Sequence, residues 1–260
     1  MDAHYEINRR RTAVKRIIIL ALGVLLALAL ATPMALAKKV EEPAGTTAEL
    51  AAAWTKWAYS KPVDEDSPLI GSYAGTDRCD GTPLSPTQVE TWFLAGTTNG
   101  DPVVRTCTMP AETQLFFPIV SALVFPFFPG ENKKNQRELA IAFIDAVEND
   151  PDFSMSVTVD GTEVGSDQIV RALSPVFTFT LPEKNAFDCP QCKPPFDVPG
   201  DKYNHASADG LWVTLPPLPP GDHTIHFEMS APNMELDPTN PGPEGFSQNN
   251  TYHLTVVSQG

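Results

Sequence analysis

The sequence predicts a mainly β protein: an antiparallel β-sandwich, Ig-like or jelly-roll-like, with two short helices. Short runs rich in aromatic and β-branched residues recur along the chain and are separated by Gly, Pro and Asn clusters. One run carries Asp160-Gly161, the signature of a type I′ hairpin. His223–Ser230 and Asn249–Val257 alternate apolar and polar residues, so both strands can contribute to one apolar layer.

The N-terminal 37 residues have the three parts of an export signal. Basic residues between Arg9 and Arg16 precede an apolar run at Ile17–Ala31, and the small-x-small sequence Ala35-Leu36-Ala37 follows it. Cleavage after Ala37 is favoured. The alternative is an uncleaved membrane anchor, because the run extended to Ala37 reaches the length of about 20 residues that a bilayer requires. Residues 38–45 then form a polar tether.

Charge and length narrow the class of protein. Removing residues 1–37 takes away five basic and two acidic side chains, which leaves 13 Lys and Arg against 30 Asp and Glu, a formal charge of −17. Such a surface repels nucleic acid and anionic lipid. We expect a periplasmic or extracellular bacterial protein with no membrane contact after signal cleavage. Residues 46–260 are predicted to form one β-sandwich domain with an N-terminal helix.

Four cysteines in an exported chain favour disulfides. Three pairings are possible, and Cys79 with Cys107 and Cys189 with Cys192 are the nearest in sequence. The first would close a loop of about 28 residues and stabilise the fold by roughly 3 to 4 kcal/mol. Cys189 and Cys192 also have the spacing of a dithiol oxidoreductase or half a zinc site, but the prolines around them oppose the helix that activates such a thiol.

Two helices are predicted. In Thr46–Ser60, Leu50, Trp54 and Trp57 fall on one helical face, so we expect this helix to dock on the sandwich through its indoles; a sugar-stacking platform is the alternative. The second helix is predicted at Asn135–Asn149.

The remaining elements are strands and long loops. Strands are predicted at Val89–Leu94, Val103–Met109, Gln114–Ile119, Phe153–Val164 (the hairpin), Pro175–Leu181, Gly210–Leu215, His223–Ser230 and Asn249–Val257. The Pro-Gly run at 216–221 is expected to be a corner between two strands of the sandwich. In the apolar run Phe116–Phe128, Pro118 and Pro126 oppose a regular strand throughout, so a buried strand followed by a crossover is favoured over an exposed apolar patch.

Candidate sites are few. The chain contains no nucleophile elbow, zincin motif, phosphate loop or dinucleotide fingerprint. His226 and His253 lie on the polar phases of their strands and, with Glu228 nearby, would suit Zn²⁺ or Cu²⁺ if the strands are neighbours. Trp212 has the phase opposite to its apolar neighbours and could supply an exposed ligand contact. The acidic loop between Asp64 and Asp80 is a weaker candidate for Ca²⁺, since it lacks the fixed spacing. A divalent metal is thus possible, and no cofactor is required by the sequence.

Several motifs together carry a resemblance. W-x-x-W at Trp54 and Trp57, TWFLAG at 91–96, RTCTMPA at 105–111, LFFPI at 115–119 and ADGLWVTLPPLPPGDHTIHF at 208–227 resemble a group of uncharacterised exported bacterial proteins. The resemblance covers most of the mature chain. It implies an exported β-sandwich and supplies no activity or site residues.

The expected function is that of an exported, non-enzymatic β-sandwich that binds a glycan, a polymer or a cell-envelope component. One alternative is an exported hydrolase with a carboxylate or metal-centred site, since 30 acidic residues offer many catalytic pairs. A second alternative is a periplasmic thiol-disulfide protein that acts through Cys189 and Cys192.

Overall fold

A computed structural model describes residues 46–62, 67–69, 90–98, 100–126, 136–182, 184–187, 202–234 and 245–258. The predictions for the export signal, the tether, the acidic loop, Cys79, Cys189 and Cys192 lie outside these residues. Within the described part of the chain, no helix is both long enough and apolar enough to cross a membrane.

The described chain contains two α-helices and ten strands. In chain order they are α1 Thr46–Tyr59, β1 Thr91–Phe93, β2 Val103–Pro110, β3 Gln114–Val124, α2 Gln136–Glu148, β4 Ser154–Val159, β5 Thr162–Glu163, β6 Ile169–Leu173, β7 Phe177–Thr180, β8 Lys202–Leu215, β9 Gly221–Ala231 and β10 Phe246–Val257. The predicted mainly β class with two helices is confirmed.

The strands form two mixed sheets. Sheet A has the order β1-β3-β8-β6, and β7 pairs with the start of β8; sheet B has the order β2-β10-β9-β4-β5. The sheets are not purely antiparallel as predicted, because β1 pairs parallel with β3 and β2 pairs parallel with β10. The short 111–113 turn joins β2 in sheet B to β3 in sheet A, so these consecutive strands do not pair as a hairpin. The proline run after β8 likewise passes from sheet A to sheet B, which confirms the predicted corner.

The local hairpin prediction is confirmed by the backbone. Asp160 and Gly161 have φ values of 52° and 77° between β4 and β5, as both central residues of a type I′ turn require. Residues 116–120 of the apolar run are buried in β3, and the strand extends to Val124, beyond its predicted end at Ile119. The register of β3 with β8 shifts between Pro118 and Val120, and such a bulge is a place where proline is tolerated in a sheet.

The molecule buries apolar residues on both sides of sheet A. One core lies between the sheets and includes Phe117, Leu211 and Phe227. A second core lies on the other face of sheet A, where α1 packs against Phe116 and Trp212. The predicted docking of α1 through its indoles is therefore confirmed, and the exposed sugar-stacking platform is wrong.

Trp212 is fully buried, so its predicted role as an exposed ligand contact is wrong. The alternation correctly predicts that Trp212 faces away from Leu211 and Val213. That face of sheet A, however, is covered by α1. The Trp212 ring stacks on Phe116 with centroids 5.2 Å apart, and its Nε1–H donates to the Ala172 carbonyl at 2.9 Å.

A buried ion pair anchors α2 on sheet A. Arg171 of β6 donates to the fully buried Asp209 of β8 at 2.7 Å, and also to Asp145 at 2.6 Å and Glu148 at 2.5 Å on α2. Burial raises the pKa of the Asp209 carboxyl, while Arg171 and the Gly210 N–H oppose that shift. The guanidinium therefore joins two strands to the helix.

Candidate ligand-binding cleft

The loop Leu94–Thr98 at the end of β1 is held by the interior of the protein on two sides. Trp54 of α1 donates its Nε1–H to the Leu94 carbonyl at 2.7 Å. The Tyr252 hydroxyl of β10 donates to the Ala95 carbonyl at 2.8 Å and accepts the Ala95 N–H at 3.0 Å. One phenol thus satisfies both backbone groups of Ala95, which makes the loop a rigid platform.

Arg105 lies beneath this loop and is 4% exposed. Its guanidinium donates to the Ala95 carbonyl, to the Tyr252 hydroxyl and, at 2.6 Å, to the Pro68 carbonyl. No carboxylate among the described residues contacts it, so carbonyl and phenol oxygens provide its hydrogen-bond acceptors. A buried cation is costly unless its donors are satisfied, so Arg105 holds these acceptors in place. Through the Pro68 carbonyl it keeps the 67–69 segment against the loop.

Above the loop lies a cleft of about 410 Å³. Its walls come from α1, the end of β3, α2, residues 186–187 and the start of β10. Five aromatic side chains line it: Trp54, Tyr59, Phe143, Phe187 and Phe246. Its polar side chains are all neutral: Thr97, Thr98, Ser121 and Gln248. This combination of apolar walls with a few converging polar groups is typical of small-molecule sites.

The described lining of the cleft is uncharged. No acidic or basic side chain lines it among the described residues, although the chain carries 50 charged side chains by composition. Tyr59 is the ionisable lining group in that part of the chain, and burial raises its pKa to about 12. The described lining of the cleft therefore stays neutral across the physiological pH range.

Gln248 lies against the loop at the floor of the cleft. A Cβ atom at Gly96 would lie 1.7 Å from Gln248 Oε1, so only glycine permits this approach. The same oxygen accepts a hydrogen bond from Nδ2 of the fully buried Asn250 at 3.3 Å. Asn250 Oδ1 has no hydrogen-bond partner among the described residues. The Gln248 amide is thus oriented from below by a buried residue and from one side by the Gly96 backbone.

The two histidines of the predicted metal site lie outside the cleft, on the exposed face of sheet B. His226 pairs with Thr251 and His253 pairs with Thr224, so the imidazoles share a face but are diagonal rather than directly opposite. Each Nδ1 contacts a threonine hydroxyl, at 3.1 and 3.3 Å, and His226 Nε2 lies 3.5 Å from Glu228. In the described ranges no group of three His, Cys, Asp or Glu side chains is arranged to hold a metal ion. The metal site stays a prediction.

Cys107 is buried on β2 and is disulfide-bonded. The other three cysteines lie outside the described residues, so the pairing of Cys107 with Cys79 and that of Cys189 with Cys192 stay predictions.

Sequence reasoning missed the cleft because its lining residues come from distant parts of the chain. Gly96, Ser121, Phe143 and Gln248 belong to four different elements or loops, and none belongs to a chemical motif. The signal that existed was indirect. The TWFLAG motif includes the first residues of the Leu94–Thr98 loop and ends at Gly96. Trp54 of the W-x-x-W motif and Arg105 of the RTCTMPA motif both contact that loop.

Comparison with known proteins adds no assignment. No protein-family model matches the chain, and no curated protein matches its sequence. Among solved structures, the cysteine protease inhibitor EhICP2 from Entamoeba histolytica is similar over 64% of this chain and 96% of the inhibitor, with 13% sequence identity. The TM-score of that match is 0.22, a value too low to support an argument about fold or function.

Proposed function

We propose that this protein is an exported, non-enzymatic binding module whose cleft above the Leu94–Thr98 loop binds a neutral glycan or a similar polymer of the cell envelope. The observation that carries the proposal is the composition of the cleft: five aromatic rings and four neutral polar side chains, with no charged side chain among the described lining residues.

A sugar ring matches such a lining. It offers an apolar face to aromatic rings and hydroxyl groups to a small number of neutral donors and acceptors. The Tyr59 and Phe187 rings are stacked on each other, with centroids 5.2 Å apart and an interplanar angle of 11°. Both line the cleft, so this aromatic pair forms an apolar part of its wall.

The rigidity of the floor favours binding. The Leu94–Thr98 loop is fixed by Trp54, Tyr252 and Arg105 before any ligand arrives. A ligand that docks on it does not pay the entropy of ordering the loop, which is the general advantage of a pre-organised site.

The cleft favours binding over hydrolysis. Glycoside hydrolysis ordinarily uses a pair of carboxyl groups about 5 to 10 Å apart, and the described lining offers neither a carboxylate nor a histidine. The hydrolase therefore remains the less supported alternative. The thiol-disulfide alternative depends on Cys189 and Cys192, which lie outside the described residues.

The proposal is tested by isothermal titration calorimetry of the mature protein against a panel of neutral and acidic oligosaccharides. We expect a neutral oligosaccharide to bind, and Tyr59→Ala to weaken that binding at least about tenfold, because aromatic anchors carry much of the energy at such sites. His253→Ala is the matched control, since His253 lies on the exposed face of sheet B. Equal affinity of both variants, or binding to none of the panel, would contradict the proposal.

A further inference from the structure

Gln248 differs from the two threonines of the cleft in what it offers a ligand, because it carries two N–H donors on one amide. Thr97 donates its hydroxyl proton to the Asp101 carbonyl at 3.0 Å, and Thr98 donates to the Leu69 carbonyl at 3.4 Å. Both hydroxyls have therefore used their donors inside the protein. Among the described residues, no acceptor is found for Gln248 Nε2, whose two N–H groups remain available at the floor of the cleft.

The orientation of this amide is set by its surroundings. Its oxygen accepts from Asn250 Nδ2 and lies over the Gly96 backbone, where no side chain fits. Asn250 is fully buried and belongs to β10, an interior strand of sheet B between β2 and β9. With Oε1 held by Asn250, the NH₂ group is the end of the Gln248 amide left to meet a ligand.

The chemistry of the ligand follows from these donors and from the walls. A pair of amide N–H donors calls for a strong acceptor, and a carbonyl oxygen is a better partner than a hydroxyl. The aromatic and aliphatic side chains around the donors call for an apolar group next to that acceptor. An acetamido group combines a carbonyl oxygen with a methyl group and satisfies both requirements.

We infer that the cleft selects an N-acetylated amino sugar, with its acetamido carbonyl accepting from Gln248 Nε2 and its methyl group against the apolar wall. This inference rests on the proposed glycan-binding function and names the class of glycan. The selectivity arises because a bound sugar without the carbonyl covers the N–H donors of Gln248 and leaves them poorly paired, and sites built to hydrogen-bond a ligand group reject analogues that lack it.

A pair of matched ligands tests the inference on the unmodified mature protein. Tetra-N-acetylchitotetraose, called chitotetraose below, and cellotetraose share the same β-1,4-linked backbone and differ at carbon 2 of each ring, which carries an acetamido group in the first and a hydroxyl in the second. We expect chitotetraose to bind at least about tenfold more tightly in calorimetric titrations, a difference typical of one well-placed hydrogen bond.

Variants then assign the preference to one side chain. Gln248→Met keeps the length of the side chain and removes its donors, so we expect it to abolish the preference for chitotetraose while leaving cellotetraose affinity within about threefold. Asn249→Met is the matched control, because it removes an amide from the residue next to Gln248. The Asn249 side chain lies on the exposed face and donates to Glu228 at 3.1 Å. That variant should keep the preference.

The outcomes separate the two proposals. Equal affinity for both tetrasaccharides in the unmodified protein would overturn the acetamido inference and leave the neutral-glycan function standing. A preference that persists in Gln248→Met would also overturn the assignment to Gln248. Failure to bind either tetrasaccharide would overturn the inference, and failure across the whole neutral panel would overturn the proposed function as well.

Discussion

His223, at the start of β9, is held between two acceptors. Its Nδ1 lies 2.8 Å from Asp160 Oδ2, and its Nε2 lies 2.9 Å from the Pro219 carbonyl oxygen. Because neither partner can donate a proton when Asp160 is ionised, the geometry requires an N–H on both ring nitrogens. The imidazolium form therefore connects the β4–β5 turn to the proline corner.

Protonation of His223 predicts a pH-dependent stability. The hydrogen bond to Asp160 raises the pKa of His223, with smaller contributions from the Pro219 carbonyl and the charges of Asp160 and Asp222. A raised pKa in the folded state stabilises the fold below the unfolded value of about 6.5, and this contribution is lost as the pH rises through the folded value. Hydrogen bonds from Thr224 and His223 lower the pKa of Asp160, so its contribution is lost only in acid, below about pH 4.

We therefore expect unmodified protein to be more stable than His223→Gln near pH 5.5 by at most about 1 kcal/mol, because Asp160 is half exposed and solvent screens the pair. The advantage should disappear above about pH 8.5. Urea denaturation at both pH values measures it. His253→Gln is the control, and a difference between unmodified protein and His223→Gln that does not change with pH would refute this role for the imidazolium.

Single residues show where sequence patterns reach their limit. Alternation placed Trp212 on the correct face of its strand, but whether a face meets solvent depends on α1, which is 150 or more positions away in the chain. The polar phases of His226 and His253 were also correct. Their diagonal offset depends on the register of β9 with β10, and nothing in either strand alone determines that register.

At the scale of elements, local signals were the most informative. The Asp160-Gly161 hairpin and both helices were predicted from short-range patterns, and each is present within two residues of the predicted bounds. β6 was missed because Ile169–Leu173 is a short run that carries the charged Arg171 among its apolar residues. The parallel pairing of β1 with β3 and that of β2 with β10 were missed because no tight turn connects the paired strands.

The Arg171–Asp209 pair gives a prediction for the docking of α2. Removing the guanidinium in Arg171→Met leaves Asp209 buried without its cation, which should lower the free energy of unfolding by about 3 to 5 kcal/mol. Removing both charges in Arg171→Met/Asp209→Leu should cost less than either single change, because no charge is then left unpaired. Denaturant unfolding of the four proteins in a double-mutant cycle measures this coupling.

Glu148→Gln serves as the control for that cycle. Glu148 contacts the same guanidinium, but its side chain is 37% exposed, so its loss should cost about 1 kcal/mol or less. Strictly additive effects of the Arg171 and Asp209 changes would show that the pair does not act as a unit.

At the scale of the whole molecule, the fold has three layers rather than the two of a simple sandwich: sheet B, sheet A and α1. This third layer explains why the cleft was not predicted. α1 forms one wall of the cleft, a loop of sheet A forms its floor, and sheet B contributes the polar side chain of Gln248. The site therefore exists only once all three layers have assembled.

Because α1 forms this third layer, we predict that it unfolds cooperatively with the two sheets. Leu50, Trp54 and Trp57 are each less than 10% exposed, and Trp54 packs edge-on against Trp212 with centroids 5.5 Å apart. Burying a large apolar side chain contributes about 1.5 to 3 kcal/mol, so these three together approach the 5 to 15 kcal/mol total stability of a typical domain. Without α1, Phe116 and Trp212 would face water, and the Leu94 carbonyl would lose its indole donor.

We therefore expect a chain that begins at residue 46 to unfold cooperatively, and a chain that begins at residue 61 to lose its sharp thermal transition and near-ultraviolet circular dichroism while binding an apolar dye. Glu49→Ala in the longer chain is the control for changes on the exposed side of α1. A cooperative transition at the same temperature in the shorter chain would show that sheet A is stable without its helix. In that case the Leu94–Thr98 loop would owe its rigidity to Arg105 and Tyr252 alone, and the cleft would have to be redefined without its α1 wall.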